Sequence, residues 1–238
     1  MTRSLYVEPE QHESEVAQPA LELRDVFRIY RSGPVETVAL RGLDLEIDPA
    51  SFVAILGPSG CGKSTLLGIA AGLDQPSAGE VRLSGRSLTR MSDDALARIR
   101  ANEIAIVLQS GNMWPILSAQ ENVVVSLRLA GLPDAEGRAR DALEEFGLGD
   151  RARHRARELS GGEQQRVAIA SASARKASLV VADEPTGELD ATNERIVLDA
   201  MRRLCERSRS TVVTVTHSKQ VASAADRVVE MRDGRVLS

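Results

Sequence analysis

Hydrophobic positions change their period along this chain, and the changes mark out its elements. Toward the front they alternate: in "VALRGLDLEI", Leu43, Leu45 and Ile47 stand against Asp44, Glu46 and Asp48. A period of two puts alternate side chains on opposite faces of a strand, so this region, with "LELRDVFRIY" before it, predicts antiparallel β-structure with one face exposed. "SFVAILG" differs, being an unbroken apolar run of strand length before glycine, and "SLVVADE" (178–184) and "STVVTVTH" (210–217) have the same form. Such runs suit strands buried on both faces of a parallel sheet. Helical segments separate them; between Thr192 and Cys205 the pattern predicts one stripe of Ile196, Val197, Ala200, Met201 and Leu204. Buried strands alternating with helices predict an α/β core.

From Gln109 to Ser160, helical patterning takes over, punctuated at Pro115, Gly131, Pro133, Gly147 and Gly149. This predicts a helical subdomain, at about residues 110–160, inserted into the core. Asp233-Gly234 between apolar-rich segments predicts a tight hairpin. The first twenty residues carry Glu8, Glu10, Glu13 and Glu15 against Arg3, and Pro9 and Pro19 interrupt any helix. They read as a flexible acidic leader, which leaves 21–238 as the folded domain.

Composition narrows the functional classes. Of 238 residues, 42% are hydrophobic and 27% charged, which suits a folded globular protein. A net charge of −4 argues against a protein that neutralises nucleic-acid phosphates over a broad surface. The arginine-rich stretch "DRARHRARE" (150–158) reads as a solvated face. Cys61 and Cys205 are too few and too far apart for a disulfide framework or zinc-ligand spacing. No apolar run approaches membrane-spanning length and the N-terminus lacks a signal-peptide pattern, so a cytosolic chain is expected, with any membrane part supplied by a partner.

Three motifs carry chemistry. "GPSGCGKST" comprises Gly57, Pro58, Ser59, Gly60, Cys61, Gly62, Lys63, Ser64 and Thr65, and follows a buried strand as a phosphate-binding loop should. Its glycines let backbone N–H groups turn toward phosphate oxygens at a helix N-terminus. Lys63 would bridge the β- and γ-phosphates and the Ser64 hydroxyl would ligate Mg²⁺; Cys61 occupies a free position of the motif. Asp183 and Glu184 end another buried strand, suited to hold the metal and to activate water. In "LSGGEQQ", Ser160, Gly161 and Gly162 precede an alanine-rich helix, which fits either an N-cap serine or a second anion site.

With "LSGGEQQ" lying between a phosphate loop and an "ADEP" strand, the sequence from about Leu21 onward resembles the ATP-binding subunits of ABC transporters. The resemblance implies a P-loop NTPase core of ABC type with antiparallel β and helical subdomains. It implies ATP and Mg²⁺ as cofactors and a head-to-tail dimer with a second copy, in which Ser160 to Gly162 reach the γ-phosphate held by Lys63 of the other copy. It further implies that Gln109 contacts Mg²⁺ and water and links the site to the helical subdomain, that Asp190 of "GELD" (187–190) lies in the loop crossing the dimer interface, and that His217 contacts the γ-phosphate. Tyr30 would stack on adenine or simply pack in its strand.

"AGLDQPSAGEVRLSG" and "ADEPTGELD" look most like the branch of macrolide-exporter (MacB-type), lipoprotein-releasing (LolD-type) and cell-division (FtsE-type) ATPases. That branch implies a membrane permease of MacB/FtsX type as partner, no nucleic acid, and a cytoplasmic location, peripheral on the inner face of the membrane. Trp114 lies where the family docks its permease, so it reads as an interface anchor or as core. The chain departs from the family at Leu108, where an aromatic is usual, at Ser171, where arginine is expected, and at Ala50-Ser51, where Gly-Glu is typical. The competing functions are a soluble ABC-type ATPase of DNA repair or translation, and an ATP-binding switch with little turnover.

Overall fold

The computed structural model describes residues 18–237, so residues 1–17 of the expected leader lie outside the described residues. In chain order the elements are β1 (Leu21–Ser32), β2 (Val35–Ile47), β3 (Phe52–Leu56), α1 (Lys63–Ala70), β4 (Ala78–Leu83), β5 (Arg86–Ser87), α2 (Asp93–Asn102), β6 (Ile104–Val107), α3 (Ala119–Leu129), α4 (Ala135–Glu145), α5 (Gly161–Arg175), β7 (Leu179–Asp183), α6 (Ala191–Ser208), β8 (Thr211–Val215), α7 (Lys219–Ala224), β9 (Arg227–Arg232) and β10 (Arg235–Leu237).

Two sheets result. The front sheet is antiparallel, in the order β2-β1-β4-β5. Its alternation is realised: Leu43, Leu45 and Ile47 are buried while Asp44 and Glu46 are exposed. The second sheet runs β10-β9-β3-β8-β7-β6, with β9, β3, β8, β7 and β6 parallel. The apolar runs fill its centre: every residue of β8 is buried, as are Phe52 to Ile55 in β3 and Leu179 to Ala182 in β7. β9 also pairs parallel with β3, although exposed Arg227, Glu230 and Arg232 hide that from its sequence. The hairpin turn forms at Asp233-Gly234, with φ of 50° and 76°.

Helices α3, α4 and α5 pack on one another around Val123, Leu127, Leu143 and Val167. Ser118 starts α3 with a capping box to Glu121. The stripe of α6 needs one correction. Val197, Ala200, Met201 and Leu204 are buried, but Ile196 is 39% exposed and Leu198 takes a buried place. Successive residues turn about 100° around a helix, which carries Ile196 off the stripe. Helix α2, which the apolar pattern does not single out, is marked by its Ser92 cap and by Asp93 and Asp94 in its first turn.

The turn into β3 carries local strain. Ala50 has φ +55° and donates its N–H to Thr211 Oγ1 at 3.0 Å. A left-handed residue with a Cβ costs about 1–2 kcal/mol, whereas glycine adopts this conformation freely but adds roughly 0.4–1 kcal/mol of unfolded-chain entropy. Ala50→Gly is therefore expected to raise stability by up to about 1 kcal/mol. A higher thermal midpoint checks this; a lower one would show that the turn is not strained.

Candidate functional site

The parallel sheet presents its chemistry along one edge. Ile55 of β3, Val215 of β8 and Asp183 of β7 lie in one register row. Just past that row come the phosphate loop, His217 and Glu184. A cavity of about 580 Å³ opens there, lined by Ser59, Gly60, Gly62, Lys63, Ser64, Thr65, Gln109, Asp183, Glu184 and His217. Thr37 to Ala39 of β2 form its other wall, and Leu108 joins it, 44% exposed.

Close packing behind the loop explains its glycines. A Cβ on Gly57 would come within 2.2 Å of the Met231 carbonyl oxygen, and one on Gly62 within 2.5 Å of that of Ala39. The Cys61 carbonyl accepts from Gly234 N–H at 2.9 Å, and Gly234's own carbonyl accepts from Arg41 N–H at 2.9 Å. Gly60 differs: no atom lies within 4 Å of where its Cβ would stand. The Lys63 ammonium donates to the carbonyls of Gly57 (2.8 Å) and Pro58 (3.0 Å). Cys61 is buried.

Glu184 adopts a left-handed backbone, φ 46°, held by its N–H to the Val215 carbonyl at 3.0 Å. Its carboxylate faces His217 twice, 3.2 Å from the backbone N–H and 3.3 Å from Nε2. Ser64, Gln109 and Asp183 offer oxygen donors of the kind Mg²⁺ prefers. Among the described residues, no group of three or more His, Cys, Asp or Glu side chains is placed to hold a metal.

Tyr30 sits one strand from the cavity, opposite Thr37 in the β1–β2 ladder, but does not line it. The Arg28 guanidinium stacks 4.5 Å from its ring centroid, and its hydroxyl donates to Asp74 at 2.8 Å.

The second turn forms a separate cluster. Among the described residues, Ser160, Gly161, Gly162 and Asp190 do not line the cavity. Ser160 caps α5: its Oγ accepts from Glu163 N–H at 3.3 Å, and the Glu163 carboxylate accepts from Ser160 N–H (2.8 Å) and Oγ (3.0 Å). Asp190 caps α6 through the N–H groups of Thr192 and Asn193. Hydrogen bonds from Asn193 and Thr192 hold its carboxyl below the ordinary range. The two caps touch: a Cβ on Gly162 would meet Asn193 Oδ1 at 2.7 Å, and one on Gly161 would meet Leu189 at 3.3 Å. The resemblance links Gln109 to the helical subdomain; which side chains make the contact is not readable from the motifs. Gln109 Nε2 donates to Glu188 at 3.3 Å, while buried Gln165 of α5 donates to the carbonyls of Leu108 and Gln109.

The model of the ABC transporter family matches residues 40–187. The chain belongs to that family. It is 45% identical to a Thermotoga maritima protein described as an uncharacterized ABC transporter ATP-binding protein, over 91% of this chain and 93% of that one. It is 42% identical to lipoprotein-releasing system ATP-binding protein LolD 2 of Caulobacter vibrioides, over 93% of this chain and 98% of the relative. Identity to the macrolide export ATP-binding/permease protein MacB of Azoarcus sp. is 43%; the match takes in 92% of this chain but only 34% of MacB. Among solved structures, the dimeric post-hydrolysis state of the ATP-binding cassette MJ0796 with ADP and Pi superposes with a TM-score of 0.83, at 37% identity, over 92% of this chain and 97% of that one. The chain is thus an ABC ATP-binding cassette, of a family that binds and hydrolyses ATP.

Glu163 ties the cassette's second turn to pH. Burial opposes its ionisation, but Ser160's N–H and hydroxyl, with the Arg151 guanidinium at 3.0 Å, hold its carboxyl below the ordinary carboxylate range. A depressed folded value stabilises above the unfolded pKa and loses that contribution as pH falls through the folded one. The stability gap between wild type and Glu163→Gln, read from denaturant midpoints, should be full at pH 7 and shrink below about pH 4.5.

Proposed function

We propose that this cassette is a Mg²⁺-dependent ATPase subunit that dimerises head to tail on ATP and energises a separate membrane permease of MacB/FtsX type. One observation carries the reading: Lys63, Ser64, Asp183, Glu184, Gln109 and His217 share a cavity that Ser160 to Gly162 of the same chain do not reach. A second copy would bring its turn to that cavity, and the solved dimer of a similar cassette supports pairing with a second copy.

In this reading the loop from Gly57 to Thr65 cradles the phosphates, and Lys63 exchanges the carbonyls of Gly57 and Pro58 for phosphate oxygens. Ser64, Gln109 and Asp183 would hold magnesium, which supplies charge neutralisation for the phosphates. Glu184 accepts the proton of the attacking water, and His217 keeps that carboxylate in place while its ring meets the γ-phosphate. Ser160, Gly161, Gly162 and Asp190 close the site from the other copy, and Tyr30 offers adenine the ring face that Arg28 leaves free.

The names of the relatives support a membrane partner and thus a place at the membrane, which in this reading is its cytoplasmic face. Among the described residues, no helix is long and apolar enough to cross a membrane. The surface offers an anchor: Trp114 is 64% exposed, which excludes the core reading, and it lines a groove with Met113, Val125 and Leu129. Ser171 lies in the same groove, 2.7 Å from the Ser126 hydroxyl.

Glu184→Gln should lower ATP turnover by about 10²–10⁴-fold while preserving ATP binding, and should accumulate as a dimer in size-exclusion chromatography with ATP. Unreduced turnover would remove Glu184 from its role, and absence of turnover in the wild type would favour a binding switch. Isolated from membranes of its own cell, the trapped chain should carry a polytopic protein with it; a soluble dimer alone, or nucleic acid, would overturn the permease reading. Trp114→Ala should leave the melting temperature unchanged yet weaken that association by about tenfold or more.

A further inference from the structure

Helix α5 begins with the turn proposed to meet the other copy's nucleotide. Gln165 lies four residues after Gly161, on the same helix face one turn further in. It is 3% exposed, and both N–H donors of its amide are used. Nε2 donates to the Leu108 carbonyl at 2.8 Å and to the Gln109 carbonyl at 2.7 Å, and Oε1 accepts from Asn112 Nδ2 at 3.0 Å. Asn112 closes the loop on itself, accepting from Leu108 N–H and donating to the Leu108 carbonyl, both at 2.7 Å. One buried amide therefore grips the peptide units on both sides of the Gln109 Cα.

We infer that Gln165 is a positioning residue, which transmits displacement of the Ser160–Gly162 turn to Gln109 and so couples the two nucleotide sites of the dimer. The inference rests on the head-to-tail dimer proposed above. An α-helix moves its first two turns together, because each turn is hydrogen-bonded to the next. Contact between the α5 turn and a γ-phosphate of the other copy then shifts Gln165, and with it the carbonyls of Leu108 and Gln109. Gln109 lines this chain's own cavity, so occupancy of one site adjusts the geometry of the other. A residue that only filled space here would have no need of two donors, both spent on the loop carrying Gln109.

Gln165→Met keeps the length of the side chain and removes both donors. In the full chain it should lower kcat by about 10–100-fold. It should leave the ATP dissociation constant within about twofold and bring the Hill coefficient of turnover toward 1. In a Gln109→Ala background the same change should alter kcat less than about twofold, since both substitutions act through one group. Should Gln165→Met fold poorly, Asn112→Ala, which removes the Nδ2 donors without adding a charge, should show the same split between kcat and binding. A kcat within twofold of wild type, or an equal loss with and without Gln109, would overturn the inference while ATP-dependent dimerisation stood. A wild type that neither dimerises nor turns over ATP would overturn the functional reading and this inference with it.

Discussion

The phosphate loop, Asp183, Glu184 and His217 of this cassette all depend on the parallel ladder of β3, β8 and β7. Parallel strands bring their carboxyl ends to one side of a sheet, and the register here is tight, with Ile55, Val215 and Asp183 in one row. The phosphate loop, His217 and Glu184 follow that row at once. A slip of one residue would turn their side chains to the opposite faces, so near-complete burial of the three strands specifies both the core and the cavity.

Some of that stability is given up where the ladder ends. Glu184 holds a left-handed backbone, at a cost of about 1–3 kcal/mol. The Val215 carbonyl, the Gly187 N–H and the two contacts from His217 surround it with partners. The turn of Ser160 to Gly162 relies on shorter-range order: a capping box along the chain and the neighbouring cap at Asp190.

The sequence made much of this legible because the deciding signals are local. Unbroken apolar runs announce β3, β7 and β8, period-two alternation announces β2, and the spacing of "GPSGCGKS" announces the loop. What was hidden depends on partners distant in sequence. β9 carries charges at 227, 230 and 232, and its place in the parallel sheet follows from pairing with β3. Gln165 meets Gln109 across 56 positions, a contact that no spacing rule encodes. Trp114 could be core or surface by type, and the folded chain leaves it exposed. Ile196 fitted a helical stripe on paper and was carried off it by the true phase of α6.

The hairpin at Asp233-Gly234 reaches further than its length suggests. A trans peptide is planar, so its carbonyl and its N–H point in opposite directions. By drawing the Cys61 carbonyl toward Gly234, the hairpin points the N–H of Gly62 the opposite way within that plane, away from the hairpin. The aim of a donor in the phosphate loop is thereby set from behind it, by a turn about 170 residues downstream whose own direction is fixed by Arg41 of the front sheet. Two sheets with no strand in common thus share control of a single peptide plane.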